Sequence, residues 1–176
     1  EFRRVLFRSG PAPRSIPFII GVPALVLYLA TVCRWLSPLN LETVGQTAGW
    51  LWQLPYQSPL LFLLCLPLRV LPDSFYPLAS NVLAAVLASV TLGLLARSVM
   101  LLPYDRTREG RIRGHAEDTQ LHIPFAWVPP VFAAAVAGLQ LSFWEHATSQ
   151  TGEMLDLLVF AYCIRCLLEY RLDVRE

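Results

Sequence analysis

The sequence predicts an all-α, polytopic transmembrane helical bundle, and three observations carry that reading. Fifty-five per cent of the 176 residues are hydrophobic and only 15% are charged, with a mean hydropathy of +0.49; an ordinary soluble domain carries roughly a quarter charged residues. The apolar residues gather in long runs separated by short polar stretches. The basic residues, all of them arginine, concentrate in some of those stretches and avoid others. A soluble chain of this size could not hide so much apolar surface, so the composition excludes a disordered chain, a nucleic-acid binder and a typical cytosolic enzyme. About four spans are expected, near residues 16–36, 76–102, 125–144 and 153–170, with an interfacial helix near 57–71.

The first nine residues, EFRRVLFRS, resemble the translation of a sequencing adapter. They are expected to be an artefact and are set aside from fold reasoning. Residues 10–176 are then expected to be the N-terminal fragment of a transmembrane domain, because the chain stops just after a helical pattern. Ile16 to Leu36 is the first long apolar run. It has the length to cross a hydrocarbon core of about 30 Å at about 1.5 Å per residue. Arg34 and Trp35 stand at its far end, where long cations and indoles reach the interface.

Ser37 to Leu54 carries Glu42, two glycines and two tryptophans and is too polar to span. Gln57 to Leu71 is apolar but short, and holds Pro67 and Arg69. Runs of that length more often lie in an interface than across it. Tyr76 to Leu102 is the second span. Its residues Asn81, Ala85, Ser89 and Gly93 recur every fourth position and form one small-residue face, over which two membrane helices can pack closely. Pro103 to Pro124 is the hydrophilic loop and holds Arg106, Arg108, Arg111 and Arg113. Phe125 to Trp144 is the third span. A short polar turn follows, and the segment from Glu153, with Asp156 and Arg165 inside it, is the fourth and weakest.

Positive charge sets the orientation. With Gln57–Leu71 interfacial, the N-terminus, the arginine loop and Arg171/Arg175 share one side, the cytoplasm. If that segment spanned, the four-arginine loop would fall outside and break the bias. Glu42, Glu145, His146 and Glu153 then face the extracytoplasmic side. Charged groups this close to hydrocarbon are expensive and often mark a site. A carboxylate there could act as general base, an Arg or His could neutralise a phosphate, and the same acids could equally solvate a turn and favour a helix N-terminus. The four cysteines, Cys33, Cys65, Cys163 and Cys166, all lie in apolar runs and read as small hydrophobes, and the single CxxC lacks the partners of a zinc site.

Four stretches carry a family resemblance: Leu29 to Gln53, LPYQSPLLFLL (Leu54 to Leu64), LP…NVLAAVLASVTLGLLARSV, and AAAVAGLQLSFWEHATSQTGEMLDLLVFAY. They resemble bacterial glycosyltransferase-like membrane proteins of the GT-C superfamily, related to a eukaryotic transmembrane protein O-mannosyltransferase. Glu42 matches the second acid of an Asp-x-Gly-Glu motif in the first outer loop. Pro59-Leu60 matches the end of a His-Pro-Pro-Gly-Tyr-Pro-Leu motif, and Asn81 matches an asparagine that opens the next helix. Phe143, Trp144, Ala147 and Glu153 match Phe-Trp-x-x-Ala followed by Glu. Leu39 stands where the family has its first acid, and Leu54-Pro55-Tyr56-Gln57-Ser58 replaces the His-Pro-Pro-Gly-Tyr stretch.

The resemblance implies the N-terminal part of a GT-C-like fold in a bacterial inner membrane. It implies transfer of a sugar from a polyprenyl-phosphate carrier to an extracytoplasmic acceptor. Glu42 would be the base, Glu153 and His146 would shape the site, and Arg69 or Arg34 would hold the donor phosphate. The partners are then the lipid bilayer, the lipid-linked sugar and an acceptor, with no nucleic acid. The sequence shows no cofactor motif and no compact metal-ligand cluster. The alternative is a non-catalytic polytopic membrane protein, an envelope-complex partner or part of a transporter.

The orientation is testable in membrane vesicles with an otherwise cysteine-free chain. A cysteine at Gly114 should resist an impermeant thiol reagent applied from outside, and one at Gln150 should react; efficient outside labelling at Gly114 reverses the topology.

Overall fold

A computed structural model describes residues 15–52, 58–113 and 128–174. Over these residues the chain is all-helical, with no strand. In order, the helices are α1 (Ile16–Ala30), α2 (Leu41–Ala48), α3 (Pro59–Cys65) running into a 3₁₀ turn (Leu66–Val70), α4 (Tyr76–Arg113), α5 (Val128–Leu139), α6 (Leu141–Thr148) and α7 (Glu153–Asp173). Residues 1–14 with the adapter-like N-terminus, residues 53–57, residues 114–124 of the arginine loop, residues 125–127 at the start of the third apolar run, and Arg175 and Glu176 lie outside the described residues.

The central element is α4, which packs against α1, α5, α6 and α7. Its small-residue face lies on α1: a Cβ at Gly93 would stand 3.2 Å from the Pro17 carbonyl oxygen, and one at Gly21 would stand 3.4 Å from that of Ser89. Asn81 meets Cys33 at the other end of α1, so the two helices run antiparallel. Asn81 also meets Gln150, while Arg97 meets Glu169, so α4 and α7 run parallel. The α5–α6 segment returns in the opposite sense and brings the Thr148 carbonyl to the Cys33 N–H at 3.2 Å. One end of the bundle therefore collects the 31–40 segment, the first turns of α4 and the α6–α7 turn.

The core between these elements includes Tyr28, Ala85, Ala88, Leu92, Phe143, Ala147 and Met154. Tyr28 sits edge-on to Trp144, with ring centroids 5.6 Å apart, and donates a 2.8 Å hydrogen bond to the Gly138 carbonyl. Outward-facing positions are apolar instead of polar: Phe18, Ile19 and Val22 on α1, Phe132 and Val136 on α5, and Phe160 and Leu167 on α7 are all exposed.

Among the described residues, one helical stretch is long and apolar enough to cross a membrane: Tyr76–Leu102, 27 residues, with a mean hydropathy of 2.0 over its most apolar part. The other expected spans differ in specific ways. The first apolar run is helical only to Ala30, about 22 Å at about 1.5 Å per residue. The helix stops because the next polar groups have other partners: the Thr31 hydroxyl bonds back to the Leu27 carbonyl, and Cys33 is bonded through its N–H and its C=O to α6 and α4. The third run breaks at Gln140, which is extended, beside the Gly138 carbonyl taken by Tyr28. α7 is continuous from Glu153 to Asp173 but carries acids in its first turn and arginine in its last. Beyond Leu102 the helix does not give way to loop at once; α4 continues to Arg113, through Arg and Glu residues that favour helix.

The 57–71 segment forms α3 from Pro59 and then tightens into the 3₁₀ turn. Pro67 has no N–H for the next α-helical rung. Seven α-helical and five 3₁₀ residues reach about 20 Å at about 1.5 and 2.0 Å per residue. Leu61 stands against Gly152, Cys65 reaches Gln150, and Arg69 reaches Thr47. The segment thus lies across the end of the bundle that Asn81 occupies. Gln150 is buried there, so Glu145, which is exposed, is the better labelling position for that side.

Gly138 is where the packing is tightest. A Cβ there would fall 2.7 Å from a Leu92 methyl and 2.9 Å from the Tyr28 hydroxyl. Replacing Gly138 with valine should lower stability by about 1–3 kcal/mol, the usual cost of overpacking a filled core, and thermal unfolding in detergent checks it. An unchanged melting temperature would show that α5 can move away from α4 freely.

Candidate functional site

The polar end of the bundle is organised by a buried amide. Asn81 Oδ1 accepts from Asn40 Nδ2 at 3.0 Å and from the Gln150 backbone N–H at 2.9 Å, while its Nδ2 donates to the Cys33 carbonyl at 2.8 Å. Asn40 in turn accepts the Ser37 N–H at 2.8 Å through Oδ1, folding the chain ahead of α2. Asn40, Asn81 and Gln150 are all fully or almost fully buried. One side chain of α4 therefore ties the first polar segment to the α6–α7 turn.

His146 and Glu153 come together across that turn. His146 Nε2 lies 3.1 Å from Glu153 Oε2, and Nδ1 lies 2.8 Å from the Thr151 hydroxyl. A carboxylate can only accept, so Nε2 carries the proton and the Thr151 O–H donates to Nδ1 in the neutral imidazole. His146 is largely covered, with its side chain 20% exposed, whereas Glu153 is 65% exposed. Both line an open groove of about 500 Å³ whose apolar wall is Phe143, Met154, Leu157 and Phe160.

Glu42 is placed elsewhere. It sits in the first turn of α2, exposed, and accepts a 3.1 Å hydrogen bond from Gln46 one turn on. It lines a second groove of about 400 Å³, with Leu41, Gly45, Trp50 and Leu51. The structure thus brings His146 and Glu153 together and keeps Glu42 in a groove of its own, although α2 and the α6–α7 turn occupy the same end of the bundle.

The two arginines divide likewise. Arg69 Nε donates to the Thr47 carbonyl at 2.8 Å, at the C-terminal turn of α2, and its guanidinium lies over the Phe62 ring at 4.7 Å. A cation at a helix C-terminus is well placed against the carbonyl dipoles. Gly49, left-handed at φ 87°, closes α2 beneath it: Trp50 N–H reaches back to Gly45 and Gly49 N–H to Gln46, the pattern of a Schellman motif. Arg34 is exposed and follows Cys33, whose N–H pairs with Thr148, so its backbone runs beside the α6–α7 turn.

Thr151 carries no signal in the sequence: a hydroxyl two residues before a glutamate in a polar turn acquires a role only when the turn is folded. Cys65 is buried beside Gln150, and burial pushes its thiol up to about 11. All four cysteines are free. No three metal-ligating side chains gather among the described residues. Compared with family models, curated proteins and solved structures, the chain matches none.

Changing Asn81 to alanine leaves Gln150 N–H, the Cys33 carbonyl and the Asn40 amide without this partner, at about 1–3 kcal/mol for each buried group left unsatisfied. A large drop in thermal stability in detergent is expected, with increased proteolysis of the 31–40 segment. Asn81→Asp keeps both acceptor bonds and loses the donor to Cys33, so it should fall between wild type and alanine. Equal stability of all three would remove the hub.

Proposed function

We propose that the chain is part of a polytopic inner-membrane protein of GT-C type that transfers a sugar from a polyprenyl-phosphate carrier to an extracytoplasmic acceptor. The observation that carries the reading is convergence. Glu42, Pro59-Leu60, Asn81 and the Phe143–Glu153 group are the four places of the family resemblance. They are scattered over more than 100 positions of sequence, yet they belong to elements that meet at one end of the bundle. The continuous apolar stretch in α4 and the exposed apolar faces of α1, α5 and α7 support a lipid surround.

In this reading α1, α4, α5–α6 and α7 each traverse the membrane, with the N-terminus cytoplasmic, and α3 with its 3₁₀ turn lies along the outer interface. A carboxylate of the polar end, Glu42 or Glu153, takes the proton of the acceptor hydroxyl. Arg69 beside α2 and Arg34 beside the α6–α7 turn are the two cations available to the donor phosphate.

The test is sugar transfer by the full-length protein in membranes, with polyprenyl-phosphate sugars as donors. Arg34→Gln or Arg69→Gln should raise the KM for the donor by about tenfold or more, the scale of a lost charge-assisted hydrogen bond of roughly 1.5–3 kcal/mol. A full-length wild type that binds lipid but transfers no sugar from any such donor establishes the non-catalytic reading.

A further inference from the structure

We infer that Thr151, His146 and Glu153 form one hydrogen-bonded chain that makes Glu153, not Glu42, the proton acceptor for a neutral hydroxyl ligand in the larger groove; the inference rests on the transfer reaction proposed above. The bond directions leave little choice. In the neutral imidazole Thr151 donates to Nδ1 at 2.8 Å, and Nε2–H donates to Glu153 Oε2 at 3.1 Å. With both ring nitrogens engaged, His146 has no lone pair open to the groove. The basic lone pairs at the rim therefore belong to the carboxylates of Glu153 and Asp156, of which Glu153, mostly exposed, uses one oxygen on His146 of another helix.

His146 and Thr151 are positioning residues. The Glu153 carboxylate fixes the tautomer, and Thr151 donates to the lone pair this leaves on Nδ1 and holds the ring's orientation, so that a donor lies under one carboxylate oxygen while the other stays open. His146 bridges α6 to the first turn of α7, so the carboxylate is held from two elements. Glu42 has no such support among the described residues; its side chain pairs with Gln46 on its own helix.

The lining also defines the ligand. Besides Glu153 and His146, the polar groups around the groove are Gln140, Ser142 and Asp156, and no arginine lines it among the described residues. Two carboxylates repel a phosphate, whereas an amide, a hydroxyl and carboxylates suit hydroxyl donors. Phe143 and Phe160 offer apolar faces for the carbon skeleton. The groove is thus the acceptor side. In the step, the acceptor O–H proton passes to Glu153. The acceptor oxygen forms a bond to the anomeric carbon, the bond from that carbon to the phosphate oxygen breaks, and its electron pair leaves on the polyprenyl phosphate. Atoms and charge balance with no further reactant.

Two measurements test this. In the full-length protein in nanodiscs, ¹⁵N-histidine spectra assigned with His146→Gln should show neutral His146 as the Nε2–H tautomer. Glu153→Gln, whose amide can donate as well as accept, should convert it to a mixture, whereas Thr151→Val should leave Nε2–H the main form. An Nδ1–H tautomer in the wild type overturns the chain. In the transfer assay, Glu153→Gln should lower kcat by about 100-fold or more, the usual reach of general base catalysis. His146→Gln and Thr151→Val should give smaller losses and displace the acid limb of the pH profile, while Thr151→Ser and Glu145→Gln behave as wild type. A wild type that transfers sugar, with Glu153→Gln equally active, overturns this assignment alone. A wild type inactive with every donor overturns the transfer reading and this assignment together.

Discussion

A primary amide has an oxygen that accepts and two N–H groups that donate, and Asn81 spends them on three separate pieces of chain. Its oxygen holds the segment before α2 and the turn before α7, and its nitrogen holds the end of α1. The side chain is fully buried, so a bond left unmade there is costly. That requirement fixes the level at which three elements stop and start. Placing any one of them a turn higher or lower leaves at least one of the three groups without a partner. The polar end, with its grooves, follows from the position of one side chain on α4.

The same accounting explains why helices end where composition does not end them. The apolar run beginning at Ile16 continues past Ala30 in sequence, but its backbone is claimed at Cys33 by Thr148 and Asn81. In the third run, the Gly138 carbonyl is claimed by Tyr28 and the helix restarts at Leu141. In both places a tertiary hydrogen bond replaces continuation of the helical ladder, and both breaks lie close to the aromatic cluster of Tyr28 and Trp144. Close packing and polar satisfaction act together here: the glycine that lets Tyr28 approach is also the one whose carbonyl receives its hydroxyl.

Local pattern made part of this legible. The all-helical class followed from long apolar runs, and the four-residue recurrence of Asn81, Ala85, Ser89 and Gly93 gave the face of α4 that lies on α1. Pro67, Arg69 and the shortness of the run pointed to an interfacial helix over 57–71, but the change to a 3₁₀ turn after Cys65 was not legible in them. What pattern could not supply was partnership at a distance. Asn40 reads as an ordinary loop residue until Asn81 is beside it, 41 positions away. Thr151 reads as a turn residue until His146 faces it. Glu42 as base and Glu153 as a residue shaping its surroundings read as parts of one site, and their separation into two grooves is decided by how α2 and the α6–α7 turn are attached, which neither local sequence contains.

The parallel contact of α4 with α7 adds an electrostatic consequence. Parallel helices place like dipole ends side by side, an arrangement that charged side chains at the ends can offset. α7 carries Glu153 and Asp156 in its first turn and Arg171 in its last, the order that complements its own dipole. Toward its C-terminal end, Glu169 accepts from Arg165 on the same helix at 3.0 Å and from Arg97 of α4 at 3.2–3.3 Å, so a single carboxylate ties the two helices where carbonyls accumulate. Glu153 and Asp156 in the first turn of α7, and Arg171 in its last, therefore have a structural reason before any catalytic one. Glu153 and Asp156 serve the helix terminus in common; the feature that distinguishes Glu153 is the imidazole of a different helix, itself oriented by a hydroxyl. That added partner is not needed to complement a dipole, and it sets Glu153 apart from the acid one turn farther along α7.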